Sequence, residues 1–481
     1  MFRKVLVANR GEIALRVIRA CRDLGIATVA VHSEADRTAA FALLADERVE
    51  IGPPAPSESY LRVDRIVEAA KATGAEAVHP GYGFLSENQE FAQALSDAGI
   101  VLVGPPAAAM AAMGMKVPAR ELMIAAGVPV VPGSGALTDT EDAVREATRI
   151  GYPVLIKASA GGGGIGMRVA RDEPELRANL EAAQSTAQRA FGNATVFLER
   201  YVEEPRHIEI QVLADMHGGV IHLGERECSI QRRHQKILEE SPSPVITPEQ
   251  RAAMGEAAVT AARSVGYVNA GTVEFIYSRG EFFFLEMNTR LQVEHPVTEE
   301  VTGIDLVVEQ LRIAAGEPLR HRQEDIVPRG HAIECRINAE DAERGFIPTP
   351  GRVTGYREPS GPGVRVDAAL AGPGVVAPYY DPMIAKLIVR GADRDEAVRR
   401  MHRALLEYAI GGITTNIPYH LALLEDADFR AARLSTHFID EHPELVTRAG
   451  EWRERKRALD RALLRNGAQV AAVAAAVAVT L

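Results

Sequence analysis

The sequence predicts an α/β protein of several domains, and three observations support this. Strand-like and helical segments alternate through residues 1–112, which is typical of an open, mostly parallel α/β sheet. Four consecutive glycines follow a strand-like segment in the middle of the chain. After residue 328 the composition changes to short strand-like segments rich in Gly and Pro. We therefore expect an N-terminal parallel α/β domain, a central α/β unit and a C-terminal α+β domain, which a chain of 481 residues can accommodate.

The N-terminal domain is predicted from a repeating strand and helix pattern. Strand-like residues 4–8 precede a helical segment at 11–24, and Gly25 is a candidate C-cap before the strand-like residues 27–31. The pattern continues with helical spacing at 60–73 and 88–98 and with short apolar strands at 77–79 and 100–103. A GxGxxG motif does not follow the first strand, so a dinucleotide site is only weakly indicated.

The central unit contains a candidate phosphate-binding loop. A helix is expected at 117–127, followed by a linker containing Pro and Gly and then by a strand at 153–157. The glycines at 161–164 come directly after this strand, and a second strand is expected at 168–170. Successive glycines leave their N–H groups unhindered for phosphate oxygens, and Lys157 supplies a cation beside them. Because no Gly-Lys-Ser/Thr precedes a helix, the loop is predicted to be a flexible flap; the alternative is an exposed linker.

Residues 271–288 predict a hairpin that carries two carboxylates. A three-residue loop at 278–280, with Gly280 in the left-handed region, would put Glu274 opposite Phe284 and make it a diagonal neighbour of Glu286. Strand alternation adds Asn288 to the same face. Oxygen ligands that converge beside phosphates suit Mg²⁺ or Mn²⁺, so these three residues are the candidate metal ligands. The alternative is a pair of solvated glutamates on an exposed strand.

Two further segments carry candidate site residues. Directly after the hairpin, Arg290 could clamp a planar anion and Glu294 could take a proton from it. The charged run at 225–236 could face a phosphate, although taken alone it is more typical of a solvated surface. Within that run, Cys228 is expected to be a buried thiol rather than a nucleophile. His79 and His217 are expected to be structural.

Charge and composition exclude several classes of protein. The chain carries 54 basic and 65 acidic residues, a formal charge of -11, which argues against an extended nucleic-acid-binding surface. Three dispersed cysteines form neither a disulfide framework nor a CxxC site, so a reducing cytoplasm is expected. The start of the chain lacks the pattern of a signal peptide. The apolar segment 469–481 is shorter than the roughly 20 residues of a membrane span. We expect a packed helix or frayed tail there; the alternative is contact with a membrane.

Five motifs together resemble the biotin carboxylase family, from Val5 to about Phe438. They are VANRGEIA at 7–14, HPGYGFLSEN at 79–88, RECSIQRRHQK at 226–236, EMNTRLQVEHP at 286–296 and ECRINAE at 334–340. The resemblance implies an N-terminal α/β domain at 1–114, an ATP-grasp domain at 115–328 with a mobile lid at about 130–203, a C-terminal domain at 329–447 and a tail at 448–481. Ile165 in the glycine loop and Met115 depart from the residues common in the family.

The resemblance also implies a role for each candidate residue. Glu274, Glu286 and Asn288 would hold the metal; Lys236, Arg290 and the Val293 backbone would bind bicarbonate; Glu294 would deprotonate it; and Arg336 would stabilise the biotin enolate. The residues that would surround ATP are Lys116, Lys157, Gly163, Gly164, Glu199, Arg200, Tyr201, Val202, His207, Gln231 and His234, with Glu274 and Glu286 reaching it through the metal.

The implied reaction is the MgATP-dependent carboxylation of biotin by bicarbonate through carboxyphosphate. The chain has no Met-Lys-Met biotin-attachment signature, so we expect a separate biotin carboxyl carrier protein and a separate carboxyltransferase subunit, together with a homodimer. The sequence does not identify the final acyl acceptor. One alternative is another ATP-grasp carboxylate–amine ligase, which Arg336 and its flanking residues disfavour. The other is a silent nucleotide-binding subunit, which the joint presence of the catalytic candidates disfavours.

Overall fold

The computed structural model describes residues 1–114, 116–158 and 167–465. Four predicted features lie outside the described residues. They are the glycine loop with Gly163, Gly164 and Ile165, the residue Met115, the side chain of Lys116, and the apolar segment 469–481. Among the helices that are described, none combines the length and apolar character needed to cross a membrane.

The N-terminal domain is a five-stranded parallel sheet in the order β3-β2-β1-β4-β5, as predicted. Its elements are β1 (Lys4–Val7), α1 (Gly11–Asp23), β2 (Ala27–Ser33), α2 (Ala40–Leu44), β3 (Glu47–Gly52), α3 (Val63–Thr73), β4 (Ala77–His79), α4 (Gln89–Asp97) and β5 (Val101–Leu102). Edge strand β3 was not predicted because its sequence, ERVEIG, has no apolar run. Helix α3 begins at Val63 instead of residue 60, since Tyr60 is fully buried and its hydroxyl donates to Asp36 at 2.7 Å.

A small unit with its own hydrophobic core follows. Helices α5 (Ala107–Gly114) and α6 (Lys116–Ala125) precede it and contribute to a different core, shared with residues 208–287. The unit itself comprises α7 (Thr140–Ile150), β6 (Val154–Ala158), β7 (Arg168–Ala170), α8 (Glu173–Phe191) and β8 (Val196–Arg200). Its antiparallel sheet has the order β7-β6-β8, and apolar residues of α7 and α8 pack on it. Helix α8 begins after Asp172, whose side chain accepts from the N–H of Glu175. The connection between α6 and α7 pairs with both neighbours, Val130 with Phe284 outside the unit and Gly133 with Glu199 of β8.

An eight-stranded antiparallel sheet in the order β13-β12-β9-β10-β11-β14-β21-β19 dominates the rest of the molecule. Its first part contains β9 (Arg206–Ala214), β10 (Val220–Arg232), β11 (Gln235–Ser241), α9 (Pro248–Ser264), β12 (Asn269–Ser278), β13 (Glu281–Asn288), α10 (His295–Thr302) and α11 (Leu306–Ala314). Strand β14 lies beyond the predicted boundary at residue 328, yet it pairs directly with β11, from Leu238 opposite Cys335 to Ser241 opposite Ala332. One sheet therefore runs through two predicted domains.

The C-terminal part combines short strands with helices, as the Gly- and Pro-rich composition indicated. Its elements are β14 (His331–Asn338), β15 (Glu340–Asp341), β16 (Ile347–Pro348), β17 (Gly351–Val353), β18 (Gly355–Arg357), β19 (Val364–Ala368), β20 (Gly374–Val376), β21 (Met383–Gly391), α12 (Arg394–Glu407), β22 (Ala409–Gly411), α13 (Ile417–Leu424), α14 (Ala427–Arg430), α15 (Phe438–Glu441) and α16 (Glu444–Arg465). Helix α16 crosses position 448, where we expected a tail to begin. It buries Leu445, Trp452, Leu459 and Leu463, which makes it part of the packed domain.

Candidate active site

The site is built on one face of β9, in the middle of the large sheet. The sequence of β9 alternates polar His207, Glu209 and Gln211 with apolar residues, so the three polar side chains point to one face. Glu209 and Gln211 are fully buried. A buried polar face on a central strand requires partners, and the neighbouring strands supply them.

Arg226 on β10 is the first of these partners. Its guanidinium is fully buried and donates to Glu209 at 2.5 Å, to Gln211 at 2.7 Å and to the hydroxyls of Thr272 and Thr298, both at 3.0 Å. A fifth hydrogen bond goes to Gln292 at 3.1 Å. Glu225, Arg226 and Glu227 are all buried, so this part of the charged run at 225–236 is not the solvated surface that such a sequence usually forms.

Lys236 brings a second cation to the same face. It follows a two-residue turn in which Arg233 and His234 have φ of 49° and 64°, left-handed values that are uncommon for residues other than glycine. Its ammonium donates to Glu209 at 2.5 Å, to Glu274 at 2.9 Å and to Glu294 at 2.6 Å. Burial lowers the pKa of Lys236, but the three carboxylates outweigh burial and raise it well above its usual value. The lysine therefore stays charged.

Glu294 joins Lys236 to Arg336. One oxygen of Glu294 accepts from Lys236, and the other accepts from Nη2 of Arg336 at 2.8 Å. Burial raises the pKa of Glu294, but Lys236 and Arg336 overcome this effect and hold it below its usual value. The result is an ionised carboxylate, 2% exposed, between two cations. We refer to Lys236, Glu294 and Arg336 as the charge bridge.

Arg336 is held from two sides. Its guanidinium donates to Glu239 on β11, from Nε at 2.6 Å. Its backbone carbonyl accepts from Nδ2 of Asn416 at 2.9 Å, and Nε2 of His420 lies 2.9 Å from the same oxygen. Burial lowers the pKa of Arg336, but Glu239 and Glu294 outweigh burial and raise it above its usual range. A charged guanidinium at a fixed position is therefore part of the site.

The candidate metal ligands share a face, although not by the predicted register. The β12–β13 loop has two residues, Arg279 and Gly280, so the predicted three-residue loop is wrong. Phe275, not Glu274, lies opposite Phe284, and a bulge at Leu285 then brings Glu274 directly opposite Glu286. Directly opposed residues of an antiparallel pair point to the same side, which puts Glu274 and Glu286 together.

The oxygen donors at this edge fit a hard divalent ion. Glu274 and Glu286 supply carboxylates, and Asn288 adds an amide two residues further along β13. The Nδ2 atom of Asn288 is buried without a partner among the described residues, and its Oδ1 accepts from Arg290 at 3.1 Å. Ligand atoms of His207, Glu209 and Glu274 also lie within 4.8 Å of one another, but the Lys236 ammonium already supplies the cation there.

Arg290 and Val293 lie on the segment that follows β13. Arg290 donates to Glu87 at 2.9 Å, and the N–H of Thr289 donates to the other oxygen of Glu87 at 3.0 Å. The Val293 carbonyl accepts from fully buried Lys386 at 3.0 Å, whose ammonium is 3.2 Å from Glu12. The N-terminal motifs therefore support this segment through Glu12 and Glu87.

The residues expected around ATP are divided between two sheets. Lys157 on β6 donates to Glu199 on β8 at 2.7 Å, and Arg200 donates to Glu281 of the large sheet at 2.9 Å. Tyr201 and Val202 follow in the connection to β9, where the N–H of Tyr201 donates to Pro153 at 2.9 Å. His207 and Gln231 lie on the large sheet, and His234 lies in the exposed β10–β11 turn. Both sheets therefore border the connecting segment at 200–206.

Sequence reasoning missed several residues of the site. Glu209 and Gln211 had a signal, the alternation of polar and apolar residues along β9. Glu239 had none, because strand alternation from Lys236 would put it on the opposite face. The β10–β11 pairing shifts by one residue between Leu238 and Lys236, which returns Glu239 to the face of Lys236. Cys228 is buried as expected, and burial raises the pKa of its thiol well above the usual value.

Comparisons with known proteins match most of the chain. Three family models match, "Biotin carboxylase, N-terminal domain" at residues 1–110, "Carbamoyl-phosphate synthase L chain, ATP binding domain" at 115–322 and "Biotin carboxylase C-terminal domain" at 334–441. A pyruvate carboxylase subunit of Methanothermobacter thermautotrophicus is 60% identical over 443 residues, 92% of this chain and 90% of that protein. Biotin carboxylase 1 of Bacillus subtilis is 56% identical over 446 residues, 92% of this chain and 99% of that one.

Solved structures agree with the sequence matches. The biotin carboxylase domain dimer of Hydrogenobacter thermophilus 2-oxoglutarate carboxylase, in complex with MgADP, ADP and bicarbonate, superposes with a TM-score of 0.84 and 52% identity, covering 93% of this chain and 99% of that one. A biotin carboxylase domain of thermophilic 2-oxoglutarate carboxylase bound to bicarbonate gives a TM-score of 0.89 and 51% identity over the same shares. This chain is thus similar to biotin carboxylase domains that were crystallised with MgADP, ADP and bicarbonate or with bicarbonate.

Proposed function

The chain belongs to the biotin carboxylase family, and from this membership we propose how its residues carry out the reaction. It is an ATP-dependent ligase that carboxylates biotin with bicarbonate. The observation that carries the proposal is the charge bridge, in which a buried, ionised Glu294 lies between Lys236 and Arg336. Two cations that share one carboxylate can serve two successive steps.

In the first step, bicarbonate binds beside Lys236, Arg290 and the backbone of Val293. Glu294 takes the bicarbonate proton, and a bicarbonate oxygen attacks the γ-phosphorus of ATP, so that ADP leaves and carboxyphosphate forms. Lys236 neutralises charge on the transferring oxygens. Support comes from the contact between Lys236 and Glu294 and from the burial that strengthens it.

In the second step, carboxyphosphate breaks down to CO₂ and phosphate. The phosphate takes the ureido proton of biotin, and the resulting enolate attacks CO₂ to give carboxybiotin. Arg336 stabilises the charge of the enolate. The hydrogen bond that holds the Arg336 backbone and the contact of Arg336 with Glu294 support a place for Arg336 in the same site as Lys236.

A divalent ion would be held by Glu274, Glu286 and Asn288. When bound, Mg²⁺ or Mn²⁺ would neutralise charge on the phosphate oxygens of ATP. Around the nucleotide we propose Lys116, Lys157, Gly163, Gly164, Glu199, Arg200, Tyr201, Val202, His207, Gln231 and His234. The separate core of α7, α8 and the β7-β6-β8 sheet supports movement of residues 130–203 as one lid, which would keep water from carboxyphosphate.

We also propose the partners and the location of the enzyme. The biotin would be carried by a separate biotin carboxyl carrier protein, and a carboxyltransferase subunit would use the carboxybiotin. A homodimer is supported by the dimeric biotin carboxylase domain of a 2-oxoglutarate carboxylase. Three free and buried cysteines suit a reducing cytoplasm. Sedimentation at micromolar concentration should give twice the chain mass, and a single-chain mass would contradict the dimer.

Biotin-stimulated ATP cleavage tests the proposed function. The purified chain should release ADP from MgATP only when bicarbonate is present, and free biotin should increase the rate while carboxybiotin accumulates. A carboxylate–amine ligase would instead need an amine acceptor and would ignore biotin. A silent nucleotide-binding subunit would release no ADP with any of these substrates.

A further inference from the structure

We infer that Glu239 is a positioning residue for the biotin half-reaction, because its carboxylate fixes the orientation of the Arg336 guanidinium. The inference rests on the proposed function, which assigns Arg336 to the enolate. Glu239 itself would touch neither biotin nor bicarbonate; it would act only through the arginine.

The contact between the two side chains is specific. Glu239 lies on β11 and is fully buried, and its Oε1 accepts from Nε of Arg336 at 2.6 Å and lies 2.5 Å from Nη2. A carboxylate oxygen that lies close to both Nε and Nη2 holds this edge of the guanidinium toward Glu239 through charge-assisted hydrogen bonds. The Oε2 atom of Glu239 has no partner among the described residues, so its hydrogen bonding is directed to Arg336.

The competing contact of Arg336 explains why this orientation needs support. Nη2 of Arg336 also donates to Glu294, which in turn accepts from Lys236. When Glu294 turns to bicarbonate in the first step, Arg336 loses one of its two carboxylates, and Glu239 remains to hold it. Without Glu239, the guanidinium would be attracted only toward Glu294, away from the orientation that Glu239 sets.

The surroundings of Glu239 argue against a role in stability alone. Glu334 lies directly opposite Glu239 across β11 and β14, is fully buried, and has no partner for either oxygen among the described residues. Burial raises the pKa of Glu334 well above its usual value, and Glu239 raises it further, which favours the neutral form of Glu334. Two opposed buried carboxyls are unfavourable for folding, and apolar residues would serve a purely structural purpose at least as well.

Substitution of Glu239 by glutamine tests the inference. Glu239→Gln keeps the size of the side chain and removes the charge, so the guanidinium loses its orientation while Arg336 stays present. Carboxybiotin formation should fall about tenfold in kcat, the effect of roughly 1.4 kcal/mol, with bicarbonate-dependent ADP release within about twofold of wild type. Glu239→Asp should restore part of the loss. Glu334→Gln is the matched control: it replaces a neutral carboxyl by a neutral amide on the opposing strand and should leave both activities near wild type.

A double variant separates positioning from a general structural role. In an Arg336→Ala background, Glu239→Gln should lower carboxybiotin formation little further, because the residue that it positions is gone. If the two losses multiply, or if Glu239→Gln lowers ADP release as much as carboxylation, Glu239 does not act through Arg336. Unchanged carboxylation by Glu239→Gln beside an active wild type would overturn this inference alone, whereas a wild type without biotin-stimulated ADP release would overturn the proposed function with it.

Discussion

The side chains of the site carry charges that neutralise one another inside the sheet. Glu209, Glu274 and Glu294 surround Lys236, while Arg226 and Arg336 compensate the carboxylates from either side. Each group is ionised because its partners outweigh the effect of burial. Breaking one contact leaves an uncompensated buried charge, so substitution of these residues should lower the stability of the fold.

The buried carboxylate of Glu240 lies outside this group of charges, and the pH dependence of stability tests whether its partners keep it ionised. Glu240 accepts from Nε of Arg394 at 2.7 Å, and Nε2 of His331 lies 2.7 Å from it. Burial raises the pKa of Glu240, but His331 and Arg394 lower it to about 2. Its stabilising effect is therefore fully present above the ordinary carboxyl pKa of about 4.3 and is lost as the pH falls toward 2.

Glu240→Gln should lower the free energy of unfolding at pH 7 by about 3 kcal/mol, because it leaves Arg394 without its carboxylate. The difference from wild type should shrink as the pH falls below about 4.3. Urea unfolding of both proteins at a series of pH values measures this difference in the free energy of unfolding. The control is Asp64→Asn in the exposed pair with Arg62, which should change little at any pH. A constant difference down to the lowest pH that permits folding would contradict the assignment.

At the level of secondary structure, hairpin register decides which residues reach the site. Strand alternation combined with a three-residue loop predicted that Glu274 and Glu286 share a face, but a two-residue turn and bulges at Leu285 and between Lys236 and Leu238 set the actual positions. A bulge depends on pairing with the neighbouring strand, so a single strand's sequence does not reveal it. For this reason the position of Lys236 does not predict the face on which Glu239 lies, whereas the alternation along β9 does predict the face of Glu209.

The β12–β13 turn gives a prediction at the same scale. Gly280 has a φ of 92°, and a Cβ there would meet only Gln250 at 3.8 Å, so strain rather than crowding opposes substitution. Gly280→Ala should cost about 1 kcal/mol and lower the melting temperature. Gly135→Ala is the control, because Gly135 has an ordinary φ and nothing within 4 Å of the added Cβ. Equal melting temperatures for the two variants would count against the left-handed conformation of Gly280.

Helix α16 lies beyond the family-model matches, which end at residue 441, and its packing can be followed directly. The chain has one tryptophan, Trp452, which lies buried on α16 and donates to Glu425 at 3.0 Å. Leu463→Ala removes a side chain that is 7% exposed and should destabilise the docked helix by about 2 kcal/mol. The urea midpoint of tryptophan emission should fall for Leu463→Ala and stay unchanged for exposed Arg461→Ala. Equal midpoints would show that α16 is not docked through this face.

At the scale of the whole molecule, one continuous sheet joins the two domains that the sequence predicted on either side of residue 328. The composition change after residue 328 identified a C-terminal domain, and the parallel N-terminal sheet was predicted strand by strand except for β3. What composition could not reveal is the pairing of β11 with β14, since hydrogen bonds between strands about 90 residues apart leave no local signature. This pairing brings Lys236 of the ATP-grasp region and Arg336 of the C-terminal region to one face.

The central claim is that these two cations serve different steps although one carboxylate joins them. Lys236→Ala should depress both bicarbonate-dependent ATP cleavage and biotin carboxylation, because we propose that Lys236 acts when bicarbonate attacks ATP. Arg336→Ala would remove the contact that we propose for the later transition state, and such a contact is typically worth about 3 kcal/mol or roughly a hundredfold in rate. Arg336→Lys should restore only part of the loss, since an ammonium lacks the planar guanidinium fork.

The most direct test is to measure ADP release and carboxybiotin formation side by side in Arg336→Ala. We predict that carboxybiotin formation falls about a hundredfold while bicarbonate-dependent ADP release falls much less, so that the two activities become uncoupled. If both fall equally, Arg336 does not belong to the second step, and the division of the charge bridge between two half-reactions is wrong.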